Sequence, residues 1–401
     1  MSKAPALPYT WLGTARIPVD SVTGDITEDL PLDLQQRLLD ADVIFLGETN
    51  HFVHEKVPFR VGWLKWLSRY RPLVVAEELG WADGRRVAGY LFDDDDGALR
   101  RAGTFGGKDY ERLDRDDLPK GIFGQAPYPH ALMRAEHTRL YLAMRGLPAV
   151  SEFYGFDIDN PGGAGYVDIL RYRNHLPAEF VSRLEKIEGE SIDDEVARLE
   201  PLLSMLSHAP PILDEAQLDL LSMIESLRYT KMVQHAMDYQ AVGPAMAYRE
   251  ETMKRRIDAV LDRMPVGAAL VMMGHAYHLA KNDTNIPRDG VGTGDDEYSS
   301  LGHYLSNERN LRVASIWMVY GRGEDSQPLP DLTRQARYAP STLNTRLLRQ
   351  LPEPTVLTVQ HAAKTDGWTS VGHLYGTVAE VNLVAEADAI TFFPEVTPLM
   401  P

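Results

Sequence analysis

The chain contains no cysteine. This absence excludes a disulfide framework, a thiolate nucleophile and thiolate metal sites, so any metal would have to be held by histidines and carboxylates. Basic residues are also scarce, since 41 Lys and Arg stand against 58 Asp and Glu and the formal net charge is -17. Because that charge repels phosphate backbones and anionic lipid surfaces, neither nucleic acid nor a membrane is expected as a partner.

Long apolar runs are missing as well. The longest, near Val266 to Met273, is far too short to span a bilayer, and the N-terminal stretch lacks the apolar core of a signal peptide. We therefore expect a cytoplasmic protein. A hydrophobic content of 44% over 401 residues supports a large buried core, and we expect one domain over residues 1–401.

Short apolar segments rich in β-branched residues alternate with helical patterns along the chain. They are 42–48 ("DVIFLGE"), 73–78 ("LVVAEE"), 150–159 ("VSEFYGFDID"), 267–275 ("GAALVMMGH") and 311–320 ("LRVASIWMVY"). Such runs are typical of parallel strands that are buried on both faces. The alternation predicts an α/β fold with a mostly parallel central sheet flanked by helices.

Between residues 177 and 239 the pattern changes to three amphipathic helical stretches. The third has an apolar stripe formed by Ala216, Leu220, Met223, Ile224 and Leu227. We expect a helical insertion that forms one wall of a cleft, although ordinary core packing explains the stripe equally well. The long polar, Gly- and Pro-rich loops at 93–130 and 281–300 are expected to form further walls or lids.

Ionisable residues collect at the same end of the predicted strands. They are Glu48 and His51 after the first strand, Glu78 at the end of the second, Asp157 in the third, and His275 and His278 after the fourth. In open α/β sheets, ligands bind outside the carboxyl ends of the strands. The sequence therefore predicts that these residues share one site.

Two of these assignments remain open at the level of the sequence. Asp157 could instead cap the following helix, because strand-terminal aspartates often do so. Glu77 and Glu78 are adjacent and point to opposite faces of a strand, so only one of them can face His51. The alternation does not say which.

Motifs for other catalytic classes are absent. The sequence has no G-x-S-x-G elbow, no Walker loop, no G-x-G-x-x-G fingerprint and no H-E-x-x-H helix. General acid–base catalysis by histidine and glutamate remains, and we expect no cofactor. A divalent metal on Glu48, His51, His275 and His278 is a less favoured alternative, since a neighbouring Arg60 would oppose a cation.

Several short motifs, taken in order, carry a family resemblance. The turn "GETNH" is a G-E-x-x-H motif, and Glu55 and Arg60 follow it. "EELGWADG", "YGFDID", "YREETMKRRIDAVL", "MMGHAYH" and "SLGHYL" come later in the chain. In this order and spacing, from about residue 40 to 320, the sequence resembles the erythromycin esterase family, and the match favours Glu78 over Glu77 as the family's glutamate.

The resemblance implies hydrolysis of a macrolide lactone by water rather than by a covalent serine. Transferred to this sequence, it makes His51 the general base, Glu48 and Glu78 the groups that orient and stabilise it, and Arg60 and His275 the polarising or proton-donating groups. The residues expected to contact the substrate are His278, Asp157 and Glu55.

The sequence departs from the family pattern at two places near the histidines. Phe52 stands where many members have a small residue, and "HAYH" has Ala276 and Tyr277 where an asparagine is common. Both changes predict an altered pocket.

The same residues allow two other functions. A non-hydrolytic acid–base enzyme could carry out cyclisation, lactone formation or proton transfer on a biosynthetic intermediate in a pocket that excludes water. A binding protein with a degenerate site is the other alternative. In each case the expected partner is a small molecule, and the sequence does not predict the oligomeric state.

Overall fold

The computed structural model of the protein describes residues 9–102, 130–159, 169–184, 190–206, 214–239, 243–282, 298–326, 333–361, 367–372 and 378–400. Most of the loops predicted at 93–130 and 281–300 lie outside these residues. Their predicted roles as lids or walls therefore stay predictions.

The centre of the molecule is a mostly parallel sheet. In chain order the strands are β1 (Ile17–Pro18), β2 (Val43–Glu48), β3 (Leu73–Gly80), β4 (Val150–Asp157), β5 (Ala269–His275), β6 (Val313–Ser326), β7 (Thr333–Ala336), β8 (Thr355–Thr358), β9 (Trp368–Gly372), β10 (Val378–Asn382) and β11 (Ala389–Val396). The large sheet has the order β1-β8-β11-β6-β2-β5-β3-β4, with β7 paired to β6, while β9 and β10 pair separately. The run from β11 to β4 is parallel throughout, which confirms the predicted fold class.

Helices cover both faces of this sheet. They span Leu32–Asp40, Lys56–Ser68, Trp81–Phe92, Ala98–Arg101, His130–Arg145, Ala178–Leu184, Ile192–Leu206, Asp214–Tyr239, Gly243–Leu261, Leu301–His303, Leu343–Leu348 and Leu383–Glu386, with a 3₁₀ helix at Leu170–His175 and a π-helical turn at Tyr304–Glu308. No helix in the described ranges is long and apolar enough to cross a membrane.

Strand β2 shows why its sequence is apolar without alternation. All 6 of its residues are buried. Ile44 and Leu46 belong to the core beneath the helix Lys56–Ser68, whereas Val43 and Phe45 belong to the core beneath the helix Gly243–Leu261. A strand covered by helices on both faces has no solvent side, so a continuous apolar run is needed.

The predicted insertion at 177–239 contains the helices Ala178–Leu184 and Ile192–Leu206 and the long helix Asp214–Tyr239. The apolar stripe of the long helix is buried in a local core with Phe180 and Leu199, so the stripe serves ordinary packing. Further along the same helix, Tyr229 and Val233 pack against Ile158, the residue after β4. This part of the insertion therefore reaches the carboxyl end of the sheet.

Candidate active site

The carboxyl ends of the parallel strands bring the predicted residues to one edge of the sheet. Glu48 ends β2 and His275 ends β5, and the two are direct register partners. Asp157 ends β4, beside β3, which carries Glu78. A β-carbon on Gly274 would lie 2.9 Å from Oε2 of Glu78, so glycine in β5 leaves the room that this carboxylate occupies.

His51 and Glu48 form a hydrogen-bonded pair. Nδ1 of His51 lies 2.8 Å from Oε1 of Glu48, and the side chains are 25% and 1% exposed. Because an ionised carboxylate only accepts hydrogen bonds, Nδ1 carries a proton, and in the neutral ring Nε2 then has a lone pair. His51 therefore has the tautomer of a general base.

Glu48 is held in its ionised form. Burial raises the pKa of Glu48. The charge of Arg60 and the hydrogen bond from His51 have a larger, opposite effect and lower the pKa to about 2. The carboxylate is therefore charged at neutral pH and can stabilise an imidazolium at His51.

Arg60 lies behind Glu48 and binds two carboxylates. One guanidinium nitrogen is 2.8 Å from Oε2 of Glu48, and another donates to Glu77. Glu77 also accepts a hydrogen bond of 2.8 Å from the hydroxyl of Tyr141, and Nε2 of His137 lies 3.2 Å from it. The guanidinium is buried between these acids, which fixes the position of Glu48.

Lys56 stabilises the turn from the other side. Its Nζ donates a hydrogen bond of 2.6 Å to the carbonyl oxygen of His51. Burial lowers the pKa of this lysine, and the charge of Glu48 partly offsets the effect. Lys56 is also the first residue of its helix.

Glu78 faces the opposite side of β3 from Glu77 and joins a second network. Its Oε2 accepts the backbone N–H of His275 at 2.6 Å, and its Oε1 accepts from Arg249 at 2.7 Å. Burial raises the pKa of Glu78, but His278, His51 and Arg249 lower it well below the usual value. This carboxylate thus positions the backbone of His275.

Arg249 connects Glu78 to the end of β4. Its Nε and one terminal nitrogen donate to the two oxygens of Asp157, at 2.8 and 2.5 Å. Another terminal nitrogen lies 3.1 Å from Nε2 of His278. Asp157 therefore forms an ion pair at the site edge.

Asp159, two residues after Asp157, binds the start of a helix that precedes β4 in the chain. The segment after Asp159 lies outside the described residues, so the helix cap predicted for Asp157 stays a prediction. The carboxylate of Asp159 accepts the backbone N–H groups of Ala82 and Asp83, at 3.1 and 3.2 Å, at the start of the helix Trp81–Phe92. Ser222 of the long insertion helix also donates to it. Asp159 thus joins this helix to the insertion.

His275 lies opposite His51. The ring centroids are 5.1 Å apart and the planes are tilted by 56°. Nδ1 of His275 accepts the backbone N–H of Tyr277 at 3.3 Å, so the proton of the neutral ring is on Nε2. Two imidazoles of opposite character, one acceptor and one donor, thus line the same end of the sheet.

His278 lies deeper, in contact with two glutamates. Nδ1 is 2.5 Å from Glu250, and Nε2 is 3.4 Å from Glu78. Burial lowers the pKa of His278, but the two carboxylates have the larger effect, so its pKa is raised overall. Glu250 in turn accepts the backbone N–H of Leu301 at 2.9 Å. His278 therefore links β5 to the helices behind it.

Glu55, a residue expected to contact the substrate, binds Thr397 in the structure. Its two oxygens accept the backbone N–H and the hydroxyl of Thr397, both at 2.9 Å. The side chain is buried, and burial raises its pKa. The structure thus separates Glu55 from the cluster that contains His51 and His275.

Sequence reasoning missed several members of these networks. The clearest is Arg249, which stands in the quoted stretch "YREETMKRRIDAVL" without any pattern that relates it to Asp157. Glu77 is another, since no local pattern predicts its ion pair with Arg60. Their roles depend on contacts between distant segments.

The residues proposed for a metal do not form a metal site here. Within the described part of the chain, no group of three or more histidines and carboxylates is arranged to hold a metal ion. Glu48 and Glu78 are instead bound by Arg60 and Arg249. A cation at these oxygens would have to compete with buried guanidinium groups.

The chain is similar to known proteins in its fold alone. No protein-family model matches the chain, and no curated protein matches its sequence. A succinoglycan biosynthesis protein has a TM-score of 0.65 and 13% identity over 96% of this chain and 95% of its own. A Bacillus cereus protein has a TM-score of 0.64 and 14% identity over 96% and 97%.

A mutant of erythromycin esterase EreC in its open conformation has a TM-score of 0.62 and 16% identity, over 95% of this chain and 97% of that one. The chain therefore has the α/β fold of an erythromycin esterase. At the level of the fold, this confirms the resemblance drawn from the sequence motifs.

Proposed function

We propose that the protein is a hydrolase that opens a macrolide-like lactone or a related ester with a water molecule activated by His51. The observation that carries this proposal is the pair formed by His51 and the buried, ionised Glu48, with His275 on the other side. A positioned general base of this kind typically contributes about 10²–10⁴-fold to a rate.

The chemical steps follow from the protonation states. Nε2 of His51 takes a proton from water while the water oxygen adds to the ester carbonyl carbon. Glu48 stabilises the imidazolium that forms. The tetrahedral intermediate then expels the alkoxide, which takes the proton back from His51, so the products are an acid and an alcohol with one water added and no covalent enzyme intermediate.

His275 is our candidate for stabilising the oxyanion. Its neutral ring carries a proton on Nε2, since Nδ1 accepts from Tyr277. A donor of this kind typically lowers the barrier by about 2.7–4 kcal/mol. Arg60 is bound to Glu48 and Glu77, so we assign it the role of orienting Glu48. His278 and Asp157 support the site through Arg249.

Three observations support a macrolide-like substrate. The fold is that of an erythromycin esterase, and the sequence carries the G-E-x-x-H turn at Gly47–His51. In addition, Tyr229 of the long insertion helix lies near Arg249 and Asp157, where it can form part of a wall for a large ligand.

Mass spectrometry tests the proposal directly. The purified protein is incubated with a panel of macrolide lactones in water enriched in the heavy oxygen isotope. We expect a mass gain of one labelled water, lost in His51→Gln and retained in His361→Gln. His361 is a suitable control because it pairs with Asp388 at the start of β11, the opposite end of the sheet. A panel without any mass gain contradicts the proposed hydrolysis.

A second candidate is a non-hydrolytic acid–base enzyme. The opposed rings of His51 and His275 favour it, because one can remove a proton while the other donates one. Its product would have the mass of the substrate, so the same experiment separates the two reactions. For a binding protein, His51→Gln would leave ligand affinity nearly unchanged.

A further inference from the structure

A segment distant in sequence binds the loop that carries His51. The segment Thr397–Met400 follows β11. The carbonyl oxygen of Thr397 accepts the backbone N–H of His54 at 2.9 Å, and Pro398 forms an antiparallel bridge with Val53. The backbone N–H and the hydroxyl of Thr397 donate to Glu55, as described above. Thr397 alone thus makes three hydrogen bonds with two residues of the loop.

The end of the same segment is attached to a helix. Met400 donates its backbone N–H to Oε1 of Glu136 at 2.6 Å. Glu136 belongs to the helix His130–Arg145, and its carboxylate also accepts from Nδ1 of His54, at 2.9 and 3.0 Å. The carboxylate therefore joins the helix, the loop and the segment at one point.

A further contact links the segment to β6. Leu399 donates its backbone N–H to the hydroxyl of Ser326 at 3.0 Å, and Ser326 donates its own backbone N–H to the carbonyl oxygen of Phe52 at 2.9 Å. Phe52 is the neighbour of His51 in the chain. The segment therefore also contacts the loop indirectly, because it binds Ser326, which holds Phe52, and Glu136, which holds His54.

These contacts matter energetically because the loop has no regular secondary structure of its own. Fixing the backbone of each loop residue costs conformational entropy. Burial of Glu55 adds a desolvation cost, and two hydrogen bonds from Thr397 offset part of it.

We propose that the segment Thr397–Met400 is a clamp that holds His51 in its catalytic position, and that Thr397 is a positioning residue. This inference rests on the proposed function, in which His51 is the base. Removing the hydroxyl of Thr397 leaves one oxygen of buried Glu55 without its hydrogen bond, which loosens the loop and displaces the imidazole. A displacement of about 1 Å can lower a rate by roughly 10²-fold.

Kinetics with matched variants test the clamp. In Thr397→Val we expect kcat to fall by at least about 10-fold while KM changes by less than about 2-fold, because orientation rather than binding is lost. Thr397→Ser restores the hydroxyl and should recover most of kcat. The control is Thr342→Ala. This change removes a buried hydroxyl that donates to the carbonyl oxygen of Ala339 at 2.8 Å and caps the helix Leu343–Leu348.

A second measurement needs no substrate. In the protein with isotope-labelled histidine, the Nδ1–H proton of His51 should give a low-field NMR signal, assigned by its loss in His51→Gln. We expect this signal to shift or broaden in Thr397→Val and to be unchanged in Thr342→Ala.

The two readouts separate the clamp from the proposed reaction. An unchanged signal in Thr397→Val, or a loss of kcat in Thr342→Ala equal to that in Thr397→Val, overturns the clamp. A wild-type protein that hydrolyses no ester overturns the proposed function, and the signal then decides the clamp alone.

Discussion

The imidazole rings of His51 and His275 lie 5.1 Å apart at the ends of two neighbouring parallel strands. Each is positioned by a different carboxylate. Glu48 binds the ring of His51 through Nδ1, whereas Glu78 binds the backbone N–H of His275. The two carboxylates are in turn bound by different arginines, Arg60 and Arg249, so the histidine pair is supported by two separate networks.

The first prediction concerns Glu48. Glu48→Gln removes the charge that stabilises the His51 imidazolium and allows the ring to adopt the other tautomer, so kcat for ester hydrolysis should fall by about 10²–10⁴-fold. Steady-state kinetics measure the effect. As a control, His361→Gln changes the partner of Asp388 at the far end of the sheet and should leave kcat unchanged. A kcat of Glu48→Gln within a few-fold of wild type would contradict the role of the pair.

The second prediction concerns stability in acid. Burial raises the pKa of Glu77, but the charge of Arg60 has the larger effect. The pKa is therefore lowered from its usual 4.5 to about 2. Because the folded state binds this proton less readily than the unfolded state, the stabilisation is complete above a pH of about 5 and is lost as the pH falls from 4.5 towards 2. The free energy of unfolding should therefore decrease over this window.

Urea titrations at several pH values test this dependence. Glu77→Gln should be less stable than wild type at pH 7 but should lose less stability on acidification. The control Glu179→Gln removes an exposed carboxylate whose side chain is 64% accessible and should follow the wild-type curve. Parallel curves for Glu77→Gln and wild type would be inconsistent with a lowered pKa at this residue.

The third prediction concerns Arg249. Arg249→Met leaves Glu78 and Asp157 without their shared cation. Removing one partner of a buried pair typically costs about 3–5 kcal/mol, so we expect the free energy of unfolding to fall by about 4 kcal/mol. Arg255→Met on the same helix is the matched control, because the Arg255 side chain is 56% exposed and its loss should cost no more than about 1 kcal/mol. Equal losses in the two variants would contradict the network.

The fourth prediction separates activity from stability at Lys56. Lys56→Met keeps a chain of similar length but removes the hydrogen bond to the carbonyl oxygen of His51. Because burying an ammonium is costly, we expect the free energy of unfolding to change by less than about 1.5 kcal/mol. The activity should nevertheless fall by about 10-fold, since the turn at His51 is less well fixed.

Lys65→Met is the matched control for this variant. It lies on the same helix, with its side chain 34% exposed and bound to Asp25. Activity and unfolding should both be measured for the two variants. A Lys56→Met protein that unfolds at far lower urea, or one with full activity, would argue against this role of Lys56.

Several features of the site were predictable from local sequence. The apolar runs placed β2 and β5 close to their observed bounds, and the parallel fold then required Glu48, Asp157 and His275 to lie at one edge. Strand geometry also required Glu77 and Glu78 to face opposite sides. In the structure, Glu77 binds Arg60 on one face and Glu78 binds Arg249 on the other.

Local sequence patterns are sufficient to predict the main parallel strands and the residue types at their ends, because these depend on hydrophobic periodicity and on short turns. The partner of each ionisable group, in contrast, depends on the folded structure. Glu55 binds Thr397, and Asp159 binds backbone N–H groups at the start of the earlier helix Trp81–Phe92. These choices depend on distances between segments far apart in the chain, which packing fixes and which no local pattern records.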